Sequence, residues 1–244
     1  MSNNDLISGF NDIDSKRVKI HLVKLLHYIN VDKMAIVGGL AIRYLLAKAG
    51  IKYPVRDFND LDIMVKEAND VSAKVSKDFL VYHYHPQIGD SFYIVLIDPE
   101  SRTKVDIFDW NPPLEDYITV KFEGYKLKMR SVEDQLVKTV YDIQRISTGK
   151  KVDPKQFMDA TLLRKIANLK KADNLWKKRN YPNYPKSITD AINRANKIAQ
   201  VHPTWVQKNP FKRLKPYVCT TCQETSDFKI TPMVQIYKVL GYVE

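Results

Sequence analysis

Apolar residues at Val18, Ile20, Leu22, Val23, Leu25 and Leu26, set among lysines, predict an amphipathic helix over residues 15–28. Residues 33–37 form a short apolar run ended by Gly38-Gly39, which predicts a buried strand. Residues 40–48 return to helical spacing and are closed by Gly50. In Asp60-Leu61-Asp62-Ile63-Met64-Val65 two carboxylates alternate with apolar residues, so the run predicts a strand with Leu61, Ile63 and Val65 in the core. Residues 71–76 read as helix, residues 79–82, 92–97 and 104–108 as strands, and residues 118–129 as a hairpin turning at Glu123-Gly124.

After Asn111-Pro112-Pro113 the pattern changes. Ser131-Val132-Glu133-Asp134 opens a helix with a start like a capping box, and that helix runs to about residue 146. A second begins at Asp153 or Pro154 and reaches about residue 170, and a third covers residues 187–200. Prolines 203, 210 and 216 make the rest irregular until a short helix near residues 234–240. Strands with an early helix crossover, then helices only, indicate an α+β domain followed by a helical one. A mixed β-sheet with flanking helices occupies residues 1–130, and a basic helical domain with an irregular end occupies residues 131–244.

Charge alters this picture. Residues 1–160 hold 23 Lys and Arg against 23 Asp and Glu, whereas residues 161–244 hold 16 against 5. The whole net charge of +11 therefore lies in the last third of the chain. Segregated charge of this kind suggests a polyanion-binding surface beside a neutral domain, the bland alternative being a solubilising face. Lys170-Lys171, Lys177-Lys178-Arg179, Lys208 and Lys212-Arg213-Leu214-Lys215 are interleaved with Trp176, Tyr181, Tyr184, Trp205 and Phe211. Cations and flat aromatics together suit RNA with a single-stranded end, although several of these rings are expected in the core. No apolar run is long enough to cross a bilayer, and Met1 to Asp5 lacks the basic start of a signal peptide, so a cytoplasmic protein is expected.

Candidate chemistry centres on Asp60 and Asp62. On a strand their side chains share one face, with Cα atoms about 6.5–7 Å apart. Neighbouring carboxylates raise one another's pKa unless a cation sits between them, and hard oxygen ligands favour Mg²⁺ or Mn²⁺. Asp106, in Lys104-Val105-Asp106-Ile107-Phe108, would complete a three-carboxylate metal cluster if its strand lies beside the first. Gly38 and Gly39 stand between strand and helix, where backbone N–H groups can approach phosphate oxygens. Each feature has an ordinary alternative: a capped turn, a solvent-facing strand residue, a tight turn without ligand.

Together these residues resemble the nucleotidyltransferase superfamily, specifically the minimal enzymes related to the AbiEii/AbiGii toxins. The resemblance rests on Val37-Gly38-Gly39, Asp60-Leu61-Asp62 and Val105-Asp106-Ile107, with Arg56 four residues before Asp60, Lys138 and Arg145 seven apart, and Asp159 later. It covers about residues 30–165 and implies a nucleotidyltransferase-like sheet that transfers NMP from an NTP to an acceptor hydroxyl. By the same resemblance Asp60, Asp62 and Asp106 hold metal, while Gly38, Gly39, Arg56 and Lys138 bind nucleotide. Asp159 orients Lys138 or acts as a base. The acceptor is expected to be a tRNA-like RNA, with a toxin role and an antitoxin protein as further expectations. Nucleotide transfer onto a protein, or a catalytically silent RNA- or nucleotide-binding module, are the alternatives. Phe58 and Gln156 depart from the family pattern. Cys219 and Cys222 are half of a zinc site at most, or two thiols in a turn. His83 and His85 share a strand face, at a substrate rim or on an ordinary surface.

Overall fold

The computed structural model describes residues 5–7, 10–54, 58, 60–88, 91–109, 116–179, 181, 183–207, 228 and 230–241. Arg56, Trp110, Asn111, Lys208, Phe211, Lys212, Arg213, Lys215, Cys219 and Cys222 lie outside them.

Helix α1 (Asp12–Leu26) is capped by Asn11, whose side chain accepts the Asp14 N–H at 2.8 Å. Strand β1 (Met34–Val37) leads directly into α2 (Gly38–Lys48), and β2 (Asp60–Val65) returns antiparallel to β1. Strands β3 (Leu80–Ile88), β4 (Ser91–Ile97) and β5 (Lys104–Asp109) form an antiparallel meander, and β5 then lies parallel to β2. Strands β6 (Tyr117–Phe122) and β7 (Tyr125–Arg130) make the expected hairpin, and β7 runs parallel to β1. Both turn residues have positive φ, 44° at Glu123 and 83° at Gly124, the geometry that matches the twist of paired strands. The strands form one mixed sheet in the order β3-β4-β5-β2-β1-β7-β6. Residues 71–76, expected as helix, form only a short 3-10 turn at Ala73–Lys77.

Alternation sorts the sheet faces. Leu61, Ile63, Val65, Val105, Ile107, Ile94 and Leu96 point to one face and join α1 residues Val18, Leu22 and Leu25 in the main core. Asp60 and Asp62 therefore project from the opposite face. Helix α2 is buried almost all round: Leu40, Ala41, Tyr44 and Leu45 enter that core, while Ile42 and Leu46 enter a second one.

The second core belongs to helices. Helix α3 (Val132–Gln144), capped by Ser131, presents Leu136, Val137, Val140 and Ile143 to α4 (Pro154–Arg164), α5 (Leu169–Arg179) and α6 (Ile188–Val201). The single helix expected to reach residue 170 is in fact two. It breaks after Arg164, and Asn168 restarts the chain by accepting the Lys171 N–H. A buried carboxylate ties this unit to the sheet: Asp134 accepts the Asp116 N–H at 2.6 Å and faces Arg179 at 2.5 Å and Arg130 at 3.6 Å. The last helix, α7 (Met233–Leu240), returns to the sheet, where Ile236 packs on Leu80 and Ile97. Just before it, Thr231 exchanges hydrogen bonds with the Val81 backbone at the edge of β3.

Candidate active site

Strand pairing places the acidic residues. Asp62 lies beside Asp106 in the parallel β2–β5 register, and Asp60 lies beside Lys104, so all four side chains leave the same face. On the other side of β2, Asp62 pairs with Val37, the last residue before the glycines. Gly38 has φ +64°, and a Cβ built on it would lie 2.7 Å from Asp62 Cγ and 2.8 Å from Asp62 Cβ. Glycine is thus required twice, by its backbone angle and by the carboxylate against it. No side chain caps the start of α2, so its first N–H groups face the same space.

A cleft of about 160 Å³ opens there. Its walls are Gly38, Gly39, Ile42 and Arg43 of α2, Phe58, Asp60 and Asp62, then Gln135, Thr139 and Asp142 of α3 and Lys155, Gln156 and Asp159 of α4. Burial, together with the Asp60 and Asp106 carboxylates, pushes Asp62 up to about 7, although Lys104 and Lys155 pull the other way. Asp106 accepts a hydrogen bond from Tyr93 at 2.8 Å through Oδ1 and is ion-paired with Lys104 through Oδ2. Burial alone would lower Lys104, but the three surrounding carboxylates hold it above its ordinary value. Burial and Asp106 likewise push the Tyr93 phenol upward, so it stays a proton donor.

Asp60 and Asp62 fit a divalent cation: two hard carboxylates share a face, and Asp62 is held proton-avid by burial and repulsion that a cation would relieve. Asp106 adjoins them but is turned toward Lys104 and Tyr93. Among the described residues no three Asp, Glu, His or Cys side chains converge closely enough to hold an ion.

The helical residues are sorted differently from the expectation. Asp159 is buried at the cleft wall and accepts the Tyr53 hydroxyl at 2.6 Å. Lys138 is paired with Asp142 at 2.7 Å, one helical turn along α3, and is not brought to Asp159. The cations that act on Asp62 are instead Lys104 and, at the cleft wall, Lys155, whose ammonium has no ion-pair or hydrogen-bond partner among the described residues. Arg145 is exposed. Arg43 is buried at the cleft wall, with its guanidinium 4.6 Å from the Phe10 ring, 5.6 Å from Tyr53 and 5.8 Å from Phe58, and 3.5 Å from Asp14.

Sequence reading missed Lys155, Arg43, Tyr53, Lys104 and Tyr93. Lys155 stands four residues before Asp159 and Lys104 two before Asp106, so helix and strand periods could have found them. Tyr93 and Tyr53 arrive only through long-range packing. In the basic last third, three of the cations are committed to ion pairs: Lys171 to Asp116 and Glu133, Lys177 to Asp173, Arg179 to Asp134. Trp176 is buried and donates to the Pro185 carbonyl, whereas Tyr181 and Tyr184 cluster half-buried with Tyr141. Trp205 stacks on His202 at 4.1 Å.

No known protein family and no curated protein matches the chain. Among solved structures it is similar to an antigenic nucleotidyltransferase-like protein from Paracoccidioides brasiliensis, at 16% identity over 81% of this chain and 94% of that one, with a TM-score of 0.43. It is also similar to the antibiotic-resistance factor ANT(2'')-Ia, at 15% identity over 78% of this chain and 98% of that one, with a TM-score of 0.46. No helix of the described residues is long and apolar enough to cross a membrane.

Proposed function

We propose that the chain is a metal-dependent nucleotidyltransferase of the AbiEii-like kind, transferring NMP from an NTP to a hydroxyl of RNA. The observation that carries this is the contact of Gly38 with Asp62: the N–H groups that open α2 without a side-chain cap adjoin a pair of carboxylates on one strand face. Asp60 and Asp62 would hold Mg²⁺ or Mn²⁺, which when bound neutralises phosphate charge and acidifies the attacking hydroxyl. The N–H groups at Gly38-Gly39 and the Lys155 ammonium receive the triphosphate oxygens. Lys138, held by Asp142 at the cleft edge, is the next cation outward. Asp159, positioned by Tyr53, offers an acceptor for hydroxyls of the bound nucleotide.

In the reaction the acceptor oxygen attacks the α-phosphorus, the bond to the bridging oxygen breaks, and pyrophosphate leaves. Asp106 lies beside Asp62 on the side away from the glycines, where the acceptor's proton can be taken. A toxin paired with an antitoxin is the biological setting that the AbiEii-like motifs suggest.

The test is incubation with each α-³²P-labelled NTP and total RNA in Mg²⁺. Label should enter RNA, and Asp60→Asn with Asp62→Asn should abolish it. Label that resists RNase but yields to protease assigns the acceptor to protein, and label transfer that survives both substitutions removes the reading.

A further inference from the structure

Beyond Asp106 the carboxylate face continues as a strip of rings. In the register, Tyr93 pairs with Phe108 and with His85, and Val95 pairs with both Asp106 and His83. His83, His85, Tyr93 and Asp106 therefore share the face from which Asp60 and Asp62 project. Tyr93 touches Asp106 through its hydroxyl and lies 5.8 Å, centroid to centroid, from His83. The His83 and His85 rings are parallel to within 4°, with centroids 6.5 Å apart.

That spacing is the strand repeat, since residues two apart stand about 6.5–7 Å from one another. With Tyr93 beside them, the two parallel half-buried imidazoles make a strip of flat rings, a surface suited to stacking a further ring. Burial, and then His85, hold His83 below its ordinary pKa, which favours the uncharged ring at neutral pH.

Strand order sets what that ring would belong to. The glycine cradle and the cleft lie on the β1 side of β2, and β5, β4 and β3 follow on the other side. An NTP seated at Gly38-Gly39 directs its triphosphate to that first side. The attacking hydroxyl must come in line from the opposite side, across Asp106 and Tyr93. We propose that His83, His85 and Tyr93 form a stacking surface for a base of a single-stranded RNA acceptor, which delivers the acceptor hydroxyl to Asp106. This rests on the nucleotidyltransferase reading above.

The test uses the full chain, a fluorescent single-stranded RNA, and steady-state transfer from labelled NTP. His83→Ala with His85→Ala should raise the KM for RNA about tenfold or more, as loss of base stacking does, with the KM for NTP unchanged. His83→Phe with His85→Phe, which keeps flat faces, should restore most of the affinity. If the double alanine variant melts early, His85→Ala alone serves the same comparison. An unchanged KM for RNA, or phenylalanines no better than alanines, overturns the stacking surface while leaving the transferase reading intact. RNA binding that depends on both histidines without any nucleotide transfer keeps the stacking surface and removes the enzyme. Label appearing on protein alone overturns the choice of acceptor.

Discussion

Gly38 and Asp62 stand so close that no residue with a Cβ fits at position 38 while the carboxylate keeps its place. The pairing of Val37 with Asp62 brings the end of β1 and the acidic strand together, so the glycine turn and the carboxylates are one local structure. Gly38→Ala should therefore act at both. The left-handed backbone costs roughly 1–2 kcal/mol with a side chain, read as a lowered melting temperature. Displacement of Asp62 should reduce transfer about 100-fold, the scale of a 1 Å misplacement. A variant with normal turnover would separate the turn from the chemistry.

Asp62 makes stability depend on pH in a stated direction. Its folded value is about 7 against an ordinary 3.8. Between those values the folded protein binds the extra proton, so metal-free stability falls as pH rises from about 4 to about 7. Asp62→Asn lacks this loss. It should melt above the wild type at pH 8 by an amount on the order of a few kcal/mol, with the difference closing toward pH 4. Mg²⁺ should stabilise the wild type increasingly through pH 7, as cation replaces proton, and leave the variant unmoved. Parallel melting profiles would contradict the assignment.

His21 produces the opposite slope. It is fully buried in α1, stacked on Phe58 at 5.7 Å, and burial lowers its pKa to about 4 from 6.5. The unfolded chain takes the proton first, so stability is lost as pH falls from about 6.5 to about 4. His21→Leu should flatten that acid limb in a pH series of thermal melts and leave the slope above pH 7 untouched.

Lys104 and Asp106 form the pair that occupies the place of a third acidic ligand. Lys104→Met leaves a nearly buried carboxylate with Tyr93 as its remaining donor. The metal-free variant should lose about 1–3 kcal/mol, and Mg²⁺ should recover more stability in it than in the wild type. Equal Mg²⁺ responses would show that Lys104 does not compete with a cation there.

Lys155 and Lys138 divide by partner. Lys155→Ala removes the cation that faces the cleft without a described partner, and should raise the KM for NTP about tenfold or more. Lys138→Ala breaks a half-exposed pair with Asp142 and should change it by no more than about fivefold. The reverse ranking in steady-state kinetics would return the phosphate role to Lys138.

The glycine turn and the shared face of the carboxylates were legible because they are local. Asp60 and Asp62 need only the two-residue period of a strand, and Gly38-Gly39 only a strand that ends where a helix begins. Asp106 needed one further step, that its strand be the neighbour of β2, and the parallel register supplies it. The break between α4 and α5 was missed because residues 165–168 carry no glycine or proline to mark it; Asn168 alone caps the new start. Helix α7 was visible as a helix, yet its docking on Leu80 and Ile97 depends on an apolar face 156 and 139 residues from Ile236 in the chain.

Side-chain period and turn chemistry act between neighbours, so this chain's sequence was enough to set its strands, the shared face of its aspartates and the glycines beside them. Partnership is different in kind. Asp159 meets Tyr53, Asp106 meets Tyr93, and Lys155 rather than Lys138 reaches the cleft because the sheet register and the α3–α4 packing carry them there. Those distances are set by burial of two whole cores, which no short window of sequence contains.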